Sequence, residues 1–119
     1  IEYGFAKLAK VDHALLQNKG GQFVSAGGEA GMVALASAKL PADMRVWLSD
    51  PDGDKAYPIA SYTWMMFYKK YDDPKKAAAI RKMVEYCLTE GQKMSDKMGY
   101  LPLPQNVVGE VRKAAANIN

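Results

Sequence analysis

The stretch that decides the fold reads Tyr57-Pro-Ile-Ala-Ser-Tyr-Thr-Trp-Met-Met-Phe-Tyr68. In an extended conformation, alternate side chains point to opposite faces, and both faces of this stretch are largely apolar. That pattern is typical of a strand buried on two sides. Pro58 cannot donate a backbone hydrogen bond, which suits the first residue of a strand. The sequence therefore predicts a central strand over residues 57–68 that needs a covering layer on each face.

A helix over the same residues is the weaker interpretation. It would be apolar all round and would contain many aromatic side chains, which are more frequent in strands. The stretch is also bounded by polar turn residues, Asp50 to Asp54 before it and Lys69 to Asp73 after it. Such boundaries favour a short buried strand over a longer helix.

Length and composition predict a single globular domain. The chain has 119 residues, of which 49% are hydrophobic, and a formal net charge of +3. Most of the positive excess follows residue 68 and falls on one predicted helix. A nucleic-acid-binding surface needs a denser basic stripe with exposed aromatic residues, so nucleic acid is not a predicted partner. No run approaches the roughly 18 uncharged apolar residues of a membrane span, and none is predicted.

The first 50 residues are predicted to form short elements. Gly20 and Gly21 permit the positive φ values of a tight reversal, which indicates a hairpin. Pro41 is expected to stop the helix that precedes it. The predicted elements are a helix over residues 3–10, strands over 14–17 and 22–25, a helix over 29–39 and a third strand over Arg45-Val-Trp-Leu48.

The last 50 residues are predicted to form two helices. Asp72-Asp-Pro74 supplies an N-cap carboxylate and a proline at the first helical position. The first helix is predicted to run to Met98 and to end at Gly99, with Gly91 on its apolar stripe, where close approach to another backbone is expected. The second helix is predicted from Pro104 to about Ala116. The stripe consists of Ala77, Ile80, Val84, Cys87, Gly91, Met94 and Met98.

Two motifs that suggest ligand binding do not satisfy their full patterns. Asp50-Pro-Asp-Gly-Asp54 resembles the start of a calcium loop, but Lys55 stands where the loop requires glycine and Ser61 where it requires glutamate. The glycine pairs at 20–21 and 27–28 lack the Gly-Lys-Ser/Thr ending of a phosphate loop. The sequence predicts solvated turns at these places, without a metal site or a cofactor.

No catalytic set is predicted either. Cys87 is the only cysteine, its neighbours Val84 and Leu88 indicate a core thiol, and His13, the only histidine, is distant in sequence. A nucleophile needs a positioned base and a group that orients it. The sequence therefore predicts that the chain is not an enzyme.

Three segments together resemble the C-terminal third of the periplasmic phosphate-binding proteins that serve bacterial phosphate ABC importers. They are the stretch from Tyr57 to Trp64, the helix containing Leu88-Thr-Glu-Gly-Gln-Lys93, and Gly99-Tyr-Leu-Pro-Leu-Pro104 before the last helix. Ile1-Glu-Tyr-Gly-Phe-Ala6 also resembles a family segment that has been entered after its first two residues. The resemblance covers nearly the whole chain, so a fragment of a longer protein is expected.

The resemblance implies an α/β fold, namely a fragment of a two-lobed (type II) solute-binding protein with a long C-terminal helix pair packed on a sheet. Residues 1–46 would be the C-terminal portion of the second lobe, and residues 51–119 that of the first lobe. Residues 45–50 would form a hinge crossing, and the predicted hinge residues are Arg45, Val46, Trp47, Leu48, Ser49 and Asp50. The family's phosphate ligands lie in the earlier two thirds, so no ligand residue is transferred to this chain.

The implied function is capture of inorganic phosphate, outside the inner membrane, for an ABC permease. The implied partners are phosphate, the permease and the rest of the same polypeptide, and the implied location is periplasmic or extracytoplasmic. Two alternatives stay open: the same fold could bind another oxyanion or serve phosphate sensing, or the chain could be a non-enzymatic interaction fragment. If phosphate ligands did lie in this chain, Ser61 and Thr63 would be the first candidates.

Overall fold

The computed structural model describes all 119 residues and combines four α-helices with one two-stranded sheet. Helices and a small sheet agree with a mixed α/β fragment. The molecule is elongated, with principal extents of 50 × 30 × 20 Å. In chain order the elements are α1 (Tyr3–Ala9), β1 (Leu16–Gln17), β2 (Phe23–Val24), α2 (Gly28–Ala36), α3 (Pro74–Leu88), two 3-10 turns (Gly91–Met94 and Asp96–Met98) and α4 (Gln105–Ala115).

The predicted first helix and hairpin are confirmed. Helix α1 ends at Ala9 and is capped by Lys10, which adopts the left-handed conformation with φ 54°. Strands β1 and β2 pair antiparallel, with Leu16 opposite Val24, and Gly21 in the reversal has φ 81°. Each strand has only two residues, because the hydrogen-bonded ladder does not extend over the full runs 14–17 and 22–25.

Helix α2 is also confirmed, but it ends at Ala36 rather than at residue 39. The Ser37 hydroxyl donates to the Ala34 carbonyl at 2.8 Å, which satisfies an acceptor at the end of the helix. Pro41 follows and cannot continue the helix.

Helices α3 and α4 pack together and hold the main core cluster. The Asp73 carboxylate accepts from the Lys75 backbone N–H at 2.8 Å, so the predicted N-cap of α3 is confirmed. Val84, Leu88 and Val108 form the buried centre, and Phe67 is among the half-buried side chains against it. The helix pair was expected to pack on a sheet, but in this chain α3 and α4 pack against each other and make no substantial contact with the only sheet, β1–β2.

The predicted continuation of α3 to Met98 is wrong. The helix ends at Leu88, and Thr89, which follows it, has a non-helical backbone. The Thr89 hydroxyl donates to the Glu85 carbonyl at 2.8 Å. The Gln92 side-chain amide donates to the Cys87 carbonyl at 2.8 Å and so replaces a helical backbone donor. Residues 91–98 continue as tighter 3-10 turns, and Gly99, predicted to end the long helix, ends the second of these turns instead, with φ 81°.

The close approach predicted at Gly91 is wrong as well. A methyl group built there would meet the Tyr86 carbonyl oxygen at 3.4 Å, an ordinary contact with the nearby end of α3. The close approach lies instead between Gly4 of α1 and Gly99, where a methyl group on Gly4 would lie 2.6 Å from the Gly99 oxygen. The stripe pattern located an apolar face but could not show which glycine touches another backbone.

The two strands predicted in the middle of the chain are wrong for this structure. Residues 57–68 and Arg45–Leu48 form no regular strand, and a single antiparallel bridge joins Ser49 to Ile59. A strand needs a neighbour along its length to take up its backbone groups, and this chain offers none beyond that bridge. Only 16 of 119 residues are buried, so the two covering layers that the stretch requires are not present.

The hairpin is joined to the turn before residue 57 through Asn18, a buried polar side chain. Its amide donates to the carbonyls of Asp54 at 2.8 Å and Ala56 at 3.1 Å, and its oxygen accepts from the Gln22 N–H at 3.0 Å. The Tyr57 N–H donates to the Ala30 carbonyl at 3.0 Å. The hairpin and α2 are thereby fixed to the turn that precedes residue 57.

Substitution of Gly4 with alanine tests the contact between α1 and Gly99. The added methyl group would overlap the Gly99 backbone, so we expect Gly4→Ala to lower the free energy of unfolding by about 1–3 kcal/mol. Gly109→Ala is the matched control, since Gly109 lies in α4 with nothing within 4 Å of an added methyl group. Alanine there should raise stability by about 0.5–1 kcal/mol. Equal effects of the two substitutions in urea unfolding would contradict the close contact.

Candidate functional site

Residues with strained backbones stand at both ends of the predicted hinge 45–50: one directly precedes it and the other is its last residue. Met44 has φ 61° and Asp50 has φ 45°, and neither is glycine. A left-handed residue other than glycine costs about 1 kcal/mol or more and persists only when its surroundings hold it. The segment therefore has a defined path although it is not a strand.

Hydrogen bonds hold both ends of this segment. The Asp50 N–H donates to the Pro58 carbonyl at 3.1 Å, and the Asp50 carboxylate accepts from the Lys19 N–H at 3.1 Å. At the other end, the indole N–H of Trp64 donates to the Met44 carbonyl at 2.9 Å. The segment 44–50 thus lies antiparallel to the start of the stretch 57–68.

Arg45 is the only arginine among the predicted hinge residues, and its own neighbour pairs with it. The Nε of Arg45 lies 2.9 Å from Asp43 Oδ2, and the Arg45 backbone N–H lies 3.1 Å from Asp43 Oδ1. Both hydrogen bonds lower the pKa of the Asp43 carboxyl, the one from the backbone N–H more than the one from the guanidinium. In this structure the Arg45 guanidinium is paired with a carboxylate of its own segment.

Aromatic side chains connect the two antiparallel segments. The Trp47 and Trp64 rings meet edge to face with centroids 5.6 Å apart, and Tyr62 meets Trp64 in the same way at 6.5 Å. Such pairs contribute about 0.5–1.5 kcal/mol beyond their buried area. Sequence reasoning placed these rings inside a strand and missed that they contact one another across two segments.

Many of the large apolar side chains of residues 45–68 are exposed to solvent. Trp47 is 79% exposed and Met66 is 95% exposed. The exposed large apolar side chains of residues 45–68 are Trp47, Ile59, Trp64, Met65, Met66 and Tyr68. So many large apolar side chains exposed within one stretch of chain are unusual for a folded protein.

Tyr62 anchors the stretch to α2. Its hydroxyl donates to the Leu35 carbonyl at 2.5 Å, and burial raises its pKa to about 12. Burial favours the neutral phenol, which is also the form that can donate this hydrogen bond. Ser61 and Thr63 flank Tyr62 and are exposed, and the Ser61 hydroxyl donates only to the adjacent Tyr62 carbonyl at 3.1 Å.

The carboxylates of the turn 50–54 serve the hairpin. Asp52 pairs with the Lys19 side chain, which lowers the pKa of Asp52 mainly through that hydrogen bond. No group of three or more histidine, cysteine, aspartate or glutamate side chains is arranged to hold a metal ion. The structure gives this turn a role in fixing the hairpin.

His13 and Cys87 are not brought together. His13 Nε2 lies 2.9 Å from the Ser25 hydroxyl oxygen, beside a polar cleft of about 430 Å³ that Lys7 and Lys10 also line. Cys87 is half-buried in α3 rather than fully in the core. No helix of the structure is both long and apolar enough to cross a membrane.

Comparison with known proteins gives one consistent class of relatives, although no protein-family model matches the chain. That class is phosphate-binding proteins. The "Phosphate-binding protein PstS" of Haemophilus influenzae is 30% identical over 94% of this chain and 34% of its own length. Those of Pasteurella multocida (29% identical, 94% of this chain, 33% of its own length) and Methanocaldococcus jannaschii (33%, 89% and 31%) agree.

These matches confirm the resemblance to phosphate-binding proteins that the sequence indicated. The chain is related to them along nearly its whole length. It spans about a third of the length of the curated relatives that it matches.

Alkaline unfolding tests the anchoring of Tyr62. Its folded-state pKa of about 12 lies above the usual value near 10, so the phenol ionises in the unfolded chain first. The stability from neutral Tyr62 is therefore complete below about pH 10 and is lost as the pH rises toward 12. We expect urea unfolding to show a larger loss of stability between about pH 9 and 12 for the unmodified chain than for Tyr62→Phe. Equal losses would contradict burial of this hydroxyl.

Proposed function

We propose that this chain is part of a substrate-binding protein that captures inorganic phosphate for ABC-type import across the inner membrane. The observation that supports the proposal most is the match to phosphate-binding proteins over 94% of the chain. The binding protein is not an enzyme, acts in the periplasm or another extracytoplasmic space, and delivers phosphate to an ABC permease.

In this proposal the chain is the C-terminal third of a two-lobed protein. Residues 1–46 belong to the second lobe, residues 51–119 to the first lobe, and residues 45–50 cross between them. The exposure of residues 57–68 supports this division. The stretch has the sequence pattern of a buried strand, yet the Trp64 side chain is 37% exposed and that of Met66 is 95% exposed. The rest of the polypeptide supplies the neighbouring strands and the covering layer.

The phosphate ligands belong to that remaining part. An anion of this kind is held by backbone N–H groups at helix N-termini and by charge-assisted side-chain hydrogen bonds. Closure of the two lobes about the crossing segments then excludes water from the anion. This chain contributes walls and a crossing, since the resemblance transfers no phosphate ligand to it and the Ser61 hydroxyl donates to its own backbone neighbour.

Phosphate titration of two proteins tests the proposal. The complete protein should bind inorganic phosphate tightly, whereas the 119-residue chain should bind it negligibly. Loss of several charge-assisted hydrogen bonds, each worth about 1.5–3 kcal/mol, weakens affinity by many powers of ten. Calorimetric titration with phosphate is the measurement, with sulfate as the comparison anion. Saturable micromolar binding by the short chain would contradict the assignment of ligands and would direct mutagenesis to Ser61 and Thr63.

Hydrogen exchange tests the covering of residues 57–68. We expect the amides of this stretch to exchange rapidly in the 119-residue chain, where one bridge at Ile59 is their only sheet pairing. In the complete protein they should be among the slowest, because strands on both sides would pair with them. Residues 74–88 of α3 are the internal reference, since their helical hydrogen bonds exist in both proteins. Fast exchange of the stretch in the complete protein would contradict the buried strand.

A further inference from the structure

Lys7 and Asp96 form an ion pair between parts of the chain that are far apart in sequence. Lys7 Nζ lies 2.6 Å from Asp96 Oδ1, and the two residues are separated by 89 positions. Lys7 belongs to α1 and Asp96 to the second 3-10 turn. In the proposed division of the chain, these residues precede and follow the crossing at 45–50, so the pair would join the two lobes.

Backbone contact beside the pair fixes its geometry. Gly4 and Gly99 lie three residues from Lys7 and Asp96 respectively, and each leaves no room for a side chain on the other. A methyl group on Gly99 would lie 2.5 Å from the Gly4 Cα. This contact allows the two segments to approach closely enough for the ion pair, and any separation of the segments would break both at once.

The charged groups of the pair are exposed, so parting these two groups costs little in itself. The Lys7 and Asp96 side chains are 40% and 77% exposed. Water can solvate both charged groups when they part, so breaking the pair leaves no buried charge. An exposed pair between two segments can therefore form and break, unlike the buried contacts of Asn18 near the crossing.

We propose that Lys7 and Asp96, beside the Gly4–Gly99 contact, form a latch that favours the closed arrangement of the complete protein. The inference rests on the proposed two-lobed function. A contact that requires both lobes forms only where they approach, so it stabilises the closed state and slows release of the bound anion. Neither Lys7 nor Asp96 is proposed as a phosphate ligand, so the latch acts through the population of the closed state.

Zero-length cross-linking of the complete protein tests the contact directly. A carbodiimide joins an amine to a carboxylate only when they touch, so it should link Lys7 to Asp96, which mass spectrometry of the digested protein detects. The Lys93–Glu90 pair, with Nζ 2.7 Å from Oε1, is the internal reference because both residues lie on one segment. We expect the Lys7–Asp96 yield, relative to Lys93–Glu90, to rise when inorganic phosphate is added. No link, or a ratio that phosphate leaves unchanged, would overturn the latch.

Binding measurements supply the second arm. Lys7→Gln and Asp96→Asn should each weaken phosphate affinity by about two- to fivefold, mainly through faster release, and the double variant should be no weaker than either. Lys93→Gln removes the same charge from a pair within one segment and should leave affinity unchanged. Additive losses in the double variant would overturn the latch. Phosphate binding by the unmodified protein without the cross-link would reject the latch and leave the proposed function standing. A cross-link without phosphate binding would support the contact and reject the function.

Discussion

The structure depends on one constraint: an apolar extended segment must find partners for its backbone hydrogen bonds. Residues 57–68 have a single sheet bridge, from Ile59 to Ser49, and several of their apolar side chains are more than half exposed, namely Ile59, Met65, Met66 and Tyr68. Unpaired N–H and C=O groups are tolerated there because water can reach them, whereas burial without partners would be costly. The stretch consequently stays open in this chain, and the main core forms elsewhere, between α3 and α4.

The rest of the chain is arranged around this open stretch by a few specific contacts. Asn18 fixes the hairpin to the turn before residue 57, and Tyr62 fixes the stretch itself to the end of α2. Trp64 reaches back to the Met44 carbonyl, so the two middle segments remain side by side with only one backbone bridge. These are polar contacts of aromatic or amide groups at the edges of apolar surface. They fix direction where there is too little buried area to do so.

The comparisons and the exposed surface point to the same explanation. The chain corresponds to about a third of the length of its phosphate-binding relatives, and its most apolar stretch lacks the layers that its pattern requires. A domain of this size normally buries a larger share of its residues than the 16 of 119 found here. In the proposed whole protein, the remaining polypeptide covers this stretch and also carries the anion ligands. Binding and folding would then need the same missing contacts.

The sequence by itself determined local features: the cap at Asp73 and the reversal at Gly21 each depend on residues a few positions away. The resemblance to phosphate-binding proteins was also visible in the sequence, and the relatives confirm it. Tertiary structure alone decided which glycines meet, where α3 ends, and that Trp47 and Trp64 contact each other. It also decided against the central strand. The physical reason is range: caps and turns are satisfied by adjacent residues, whereas a strand or a close backbone contact depends on partners distant in the chain.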